Sequence, residues 1–146
     1  MPRRFTLEEA TALLPTVDRL LREAVALKRE YASADQMLQS AVERVMAMGG
    51  VVLDREPLVS ARSRRDRSAE SLKNVVEQLQ ETGCLIKDID IGLVDFPTLF
   101  RKREVYLCWK LGEPEIAFWH GVDEGFAGRK PIDTDFREHH EGEKPQ

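Results

Sequence analysis

Apolar residues at Val17, Leu20, Leu21, Ala24, Leu27, Tyr31, Leu38, Val42 and Val45 recur at alternating three- and four-residue steps, and the stripe stops at Gly49-Gly50. That period is the signature of a long amphipathic helix, and it constrains the chain more than any other feature. At 1.5 Å per residue, some thirty residues make a rod of roughly 50 Å. A second stripe follows, with Leu58, Ala61, Ala69, Leu72, Val75, Val76 and Leu79, opened by Pro57 and closed by Gly83. Proline suits the first turn of a helix and glycine the position after its end. A connection this short makes the two helices antiparallel neighbours.

The start of the first helix is also legible. Thr6-Leu7-Glu8-Glu9 has the spacing of a capping box, in which the threonine hydroxyl and the glutamate satisfy each other's backbone N–H. Pro15 lacks an N–H and its ring crowds the carbonyl of Thr11, so a short first helix or a kink is expected, with the long helix running from Pro15 to Met48.

After Gly83 the period changes from helical to alternating. Residues 85–91 form a strand or extended connector, and 93–96, 104–110 and 115–120 read as strands. Gly112 stands at the first central position of Leu111-Gly112-Glu113-Pro114, the placement a type II′ hairpin wants. That turn pairs Cys108 with Ala117, Tyr106 with Trp119 and Val105 with His120. One face then carries Val105, Leu107, Trp109, Ile116, Phe118 and His120, and packs on the helices. The other carries Tyr106, Cys108, Lys110, Glu115, Ala117 and Trp119, and suits an interface or a ligand pocket. A one-residue slip would exchange the two faces.

The predicted fold is therefore one α+β domain over residues 1–132: a long antiparallel helical hairpin (6–82) with a three- to four-stranded antiparallel sheet and loops (83–132). Residues 133–146 read as a polar, mobile tail. With 146 residues, the chain is long enough to bury a core without metal or disulfide staples. Cys84 and Cys108 lack CxxC spacing, which points to reduced thiols in the cytoplasm. No apolar run is long enough to span a membrane. A net charge of −4 argues against bulk attraction to nucleic acid.

Costly residues concentrate between Gly92 and Arg129, where both tryptophans, Tyr106, His120 and a set of carboxylates lie. Tyr106, Glu113, Glu115, Trp119, His120 and Arg129 form the candidate ligand-binding set. His120 with Asp95 and Glu113 or Glu115 could hold a divalent metal in a hydrolase-like site, or His120 could simply cap the sheet edge. No HxxxH, HExxH or paired-cysteine spacing adds to the metal reading. Cys108, midway along a strand, reads as buried structural cysteine. Arg129 could grip an anion, or its loop could dock through Phe126 with the guanidinium bridging to Asp95 or Glu113. The basic run Arg62, Arg64, Arg65 and Arg67 offers a third reading, nucleic-acid binding. Asp66 interrupts it, so a solvated or acid-paired face fits better. Near the helical turn, Leu38 and Val42 face a polar part of the second helix, and a second copy of the chain is the simplest cover. The leading functional expectation is a non-enzymatic, homodimeric binding or scaffolding module.

Gly92-Leu93-Val94-Asp95-Phe96-Pro97, the run from Arg103 to Ile116, Phe118-Trp119-His120 and Gly125-Phe126-Ala127-Gly128-Arg129 closely resemble a bacterial family catalogued as domain of unknown function 2203. The opening from Phe5 to Ala10, with Leu13-Leu14-Pro15, resembles that family's start. This chain departs from the pattern at Phe100-Arg101-Lys102, where members carry a glycine turn. The resemblance implies a helical hairpin attached to a small sheet, and brings no catalytic residue with it.

Overall fold

The computed structural model describes residues 3–51 and 54–142. Two helices dominate, α1 (Leu7–Ala47) and α2 (Glu56–Glu81). The capping box at the head of α1 is formed: Thr6 N–H donates to Glu9 Oε1 at 2.9 Å and Glu9 N–H to Thr6 Oγ1 at 3.1 Å. The separate short first helix that Pro15 allows does not form, and α1 runs through the proline as one helix. A buried face with Ala10, Val17, Leu20 and Leu21 on both sides of the proline offsets the loss of one hydrogen bond.

The chain divides into two compact units, residues 23–76 and residues 1–22 with 77–146. In the first, most buried positions are small: Ala24, Ala34 and Ala41 on α1 and Ala61 and Ser68 on α2, joined by Val75. Ala34 and Ala41, like Ala61 and Ser68, are seven residues apart, the spacing of a coiled-coil seam. Ion pairs Arg64–Glu30 (2.6 Å) and Arg65–Asp35 (3.5 Å) link the two helices. Arg62 and Arg65 also lie near Asp66. Most of the arginine run is therefore matched by acids of its own chain. Met37, Val42, Met46, Met48, Val51 and Val59 remain exposed.

The second unit is built on an antiparallel sheet of six strands, more than the three or four expected: β1 (Leu85–Asp88), β2 (Leu93–Phe100), β3 (Arg103–Lys110), β4 (Phe118–Gly121), β5 (Lys130–Pro131) and β6 (His140–Glu141). The order is β1-β2-β3-β4-β5, with β6 pairing the far end of β2. The extra strands are two residues long, too short to leave a period in the sequence. One sheet face carries Val94, Phe96, Thr98, Leu107 and Trp109, all buried, and Phe5 meets Phe96 edge-on at 5.5 Å. β2 and β3 are joined through Arg101 and Lys102, both at positive φ (51° and 67°). This is the two-residue turn that matches sheet twist, made here without glycine.

Residues after Ile132, where composition suggests a polar tail, carry structure up to Gly142. Asp133 accepts the Phe136 N–H at 2.8 Å and caps a short helix, α3 (Thr134–His139). Phe136 is fully buried, stacked on Phe100 at 4.9 Å, Trp119 at 5.0 Å and His140 at 5.4 Å. His140 in turn accepts the Leu7 N–H at 2.9 Å. One apolar residue in a charged segment is enough to anchor it.

Candidate functional site

Strand pairing decides which side chains share a face, and it differs by one residue from the expected register. Tyr106 pairs with His120, Leu107 with Trp119 and Cys108 with Phe118. The reversal after β3 lies one residue earlier than a Gly112-Glu113 turn: Glu113 N–H donates to Lys110 O at 3.0 Å. Gly112, at φ +99°, thus holds the second central position, where a type II turn needs a positive φ. Two side-chain bonds lock this turn. Lys110 N–H donates to Glu113 Oε1 at 2.6 Å, and the Trp109 indole N–H to Glu113 O at 3.1 Å. The strand resumes only at Phe118.

The slip moves His120 onto the face of Tyr106 and Cys108, and moves Trp119 onto the face of Leu107 and Trp109. Both indoles therefore lie on one side, and the surface expected around Tyr106 and Trp119 does not form. Trp119 instead stacks on Phe136 with Lys130 Nζ 4.8 Å from its ring, beside a separate hollow of about 630 Å3.

Across from the indoles, β2 contributes Asp95, which pairs with Cys108. Asp95, Cys108 and His120 are all buried, with their ligand atoms within 4.8 Å of one another. His120 Nε2 lies 3.0 Å from each oxygen of the Asp95 carboxylate. Its Nδ1 lies 2.8 Å from Gly121 O. A carbonyl oxygen only accepts, so Nδ1 carries a hydrogen. A lone pair and a carboxylate do not face each other at 3.0 Å, so one proton is also shared between Nε2 and Asp95. The buried pair is then neutral overall, as an imidazolium with a carboxylate or an imidazole with a carboxylic acid.

The Cys108 thiol lies within 4.8 Å of the Asp95 carboxylate and the His120 ring nitrogen. Burial, reinforced by the Asp95 charge, pushes it up to about 12, against the opposing pull of Arg129. It is a neutral thiol at physiological pH and a poor nucleophile. Tyr106 meets the His120 ring edge-on at 5.5 Å, and its hydroxyl is pushed up by burial and then by the charges of Glu104 and Asp95.

Over this face lies a cavity of about 240 Å3, whose wall includes Lys87, Asp95, Tyr106, His120, Glu124 and Phe126. Lys87 Nζ sits 5.1 Å from the Tyr106 ring centre. Glu124 is held by Gly121 N–H at 2.9 Å and by Lys130. Those bonds depress its carboxyl below the ordinary glutamate range.

Arg129 and Glu113 form a neighbouring cluster. The guanidinium bonds Glu113 Oε1 at 2.6 Å and Cys108 O at 3.3 Å, and stacks between the rings of Phe118 (4.2 Å) and Phe126 (4.7 Å). Glu113 is thus committed to the turn and to Arg129, and is not a ligand beside His120. Glu115 is exposed and joins none of these contacts. Of the four carboxylate and histidine metal candidates, only Asp95 and His120 meet. Cys108 joins them, which the assumed register concealed. Phe126, the expected docking residue of its loop, lines the cavity, and so do Lys87 and Glu124, which no local pattern in the sequence marks.

The family model described as an uncharacterized conserved protein (DUF2203) matches residues 3–132, so the chain belongs to that family. No curated protein and no solved structure matches it. Among the described residues, no helix is long and apolar enough to cross a membrane.

Proposed function

We propose that this member of the uncharacterized family is a non-enzymatic binding module of the cytoplasm, and that its ligand site is the cavity over the Asp95–His120 pair. The observation that carries this reading is the neutral, fully hydrogen-bonded floor beneath a hollow walled by Lys87, Tyr106 and Phe126. Small-ligand sites combine apolar and aromatic walls with a few fixed polar groups, and this cavity has that composition. Lys87 adds a cation 5.1 Å from the Tyr106 ring centre, which favours an anionic or polar ligand. The thiol nearby is held protonated, which supports binding over covalent catalysis. Acids of the same chain offset most of the basic run on α2, which weighs against nucleic acid.

Thermal-shift measurements with metabolite-sized carboxylates, phosphates and amines test the site. A saturable rise in Tm that is lost in Tyr106→Ala and Lys87→Ala supports it. No saturable shift, or shifts unchanged in both variants, would overturn it. We further propose self-association through the exposed Met37, Val42 and Met46 of the hairpin. Sedimentation should show dimers that dissociate in Met46→Glu, and a monomer at micromolar wild-type concentration removes that proposal.

A further inference from the structure

We infer that Asp95, Cys108 and His120 form a site for one zinc-type divalent cation, with its fourth coordination position open to the cavity. This deepens the proposed binding role and rests on the same site. The donor set is one imidazole, one thiol and one carboxylate, the mixture that zinc accepts in preference to hard cations. All three residues are buried, at 4%, 0% and 1% exposure for His120, Cys108 and Asp95, and three different strands deliver them to one face. A tetrahedral ion with bonds of about 2.0–2.3 Å spaces its donors roughly 3.3–3.8 Å apart. The donor atoms here lie 3.0 Å apart for nitrogen and oxygen and within 4.8 Å throughout. Small side-chain rotations reach the required spacing.

The surroundings are those of a ligand histidine. Nδ1–H is fixed on Gly121 O at 2.8 Å, which leaves Nε2 as the donor atom and sets the ring plane. Arg129 reaches the Cys108 carbonyl at 3.3 Å and fixes the backbone that carries the thiol. Charge balances as well. Coordination expels the Cys108 thiol proton and the proton shared by His120 and Asp95, so two protons leave as one dication enters. The thiolate and carboxylate then offset the ion's two positive charges, and the buried site stays neutral before and after. Exchange without net charge avoids the desolvation cost that makes unpaired buried charge unfavourable. Three protein donors with one open position is the pattern of zinc sites that accept a further ligand, here from the side of Tyr106 and Lys87.

The test uses full-length, untagged protein stripped with chelator, then titrated with zinc chloride and, separately, cobalt chloride. One ion should bind per chain, and cobalt should show tetrahedral d–d bands with a thiolate-to-cobalt charge-transfer band. Cys108→Ser should abolish that band and weaken zinc at least ~100-fold, since it removes a direct ligand. Glu115→Gln, exposed and outside these contacts, should bind zinc as wild type does. His120→Asn provides a second ligand variant should Cys108→Ser fold poorly. Absence of saturable uptake by folded wild-type protein, or wild-type binding in Cys108→Ser, overturns the site. Cys108 does not line the cavity, so an organic-ligand shift that persists without zinc uptake sinks the metal inference alone. Zinc uptake with no organic ligand detected, before or after loading, sinks the cavity reading alone.

Discussion

Replacing Phe136 by alanine separates two views of the C-terminal segment that differ by several kcal/mol. On composition, residues past Asp133 are a charged tail, and removing one side chain from it changes nothing. In the structure Phe136 is fully buried between Phe100, Trp119 and His140, with ring centres 4.9 to 5.4 Å away. Burying a phenylalanine contributes about 1.5–3 kcal/mol, and an aromatic pair adds about 0.5–1.5 kcal/mol. With the cavity left behind, the cost should be about 3–4 kcal/mol, within the usual range for Phe→Ala in a core. The loss is capped by the free energy that holds the segment down, because a segment already detached loses nothing further. Urea unfolding followed by far-ultraviolet circular dichroism measures the global change. Trp119 emission should also shift to the red, and amide exchange across residues 133–142 should quicken. Arg137→Ala, exposed on the same helix, should stay within about 0.5 kcal/mol of wild type. A Phe136→Ala cost below about 1 kcal/mol with unchanged tryptophan emission would refute the reasoning.

Lys102→Gly should stabilise the protein by about 0.5–1 kcal/mol: lysine at φ 67° bears a strain of about 1–2 kcal/mol, and glycine's extra unfolded-state entropy takes back part of the relief. The lost contact to Glu141, at 3.6 Å from an 81% exposed lysine, is worth little, so a clear destabilisation in urea would show that the turn is unstrained. Cys108 makes stability depend on alkaline pH. A thiol that ionises near 9 when unfolded and at about 12 when folded contributes fully below pH 9, and is lost as pH rises toward 12 at about 1.4 kcal/mol per pH unit. The difference in slope between wild type and Cys108→Ala reads this directly, and identical slopes count against a buried thiol. Glu113→Gln and Arg129→Met should each cost about 1–3 kcal/mol, since each removes one charge of a largely buried ion pair (11% exposure for Arg129, 23% for Glu113). The double variant should cost clearly less than the sum, and strict additivity would mean the pair is not coupled.

Much of the architecture was legible because it rests on long periods. The two helices declared themselves through stripes of apolar residues, and their ends through Thr6, Gly49-Gly50, Pro57 and Gly83. Errors fell where a few atoms decide. Pro15 should interrupt a helix in isolation, yet burial on both sides outweighs one missing bond. Phe136 is one residue, too little for any periodicity. The departure at Phe100-Arg101-Lys102 looked like a changed loop, but the backbone takes the glycine-type turn without glycine.

The register is the instructive case, because the same one-residue difference dissolved one candidate surface and assembled another. Alternation along a strand says which side chains share a face within that strand. It says nothing of how two strands are phased, and phase is set in the whole connection between them. At Lys110–Glu113 the glycine could sit at either central position. The choice is made by Glu113, whose side chain takes the Lys110 N–H and whose carbonyl takes the Trp109 indole. Neither bond leaves a pattern in the sequence. Central residues Leu111 and Gly112 alone would set Cys108 opposite Glu115, and the irregular stretch 113–117 lets three further residues pass before β4, so Phe118 faces Cys108 and His120 faces Tyr106. Asp95, brought by β2, then bonds a buried histidine and lies beside a buried thiol. Glu113 therefore holds the turn without entering the site, and the odd number of residues added by the stretch 113–117 is what carries His120 to the face of Asp95 and Cys108.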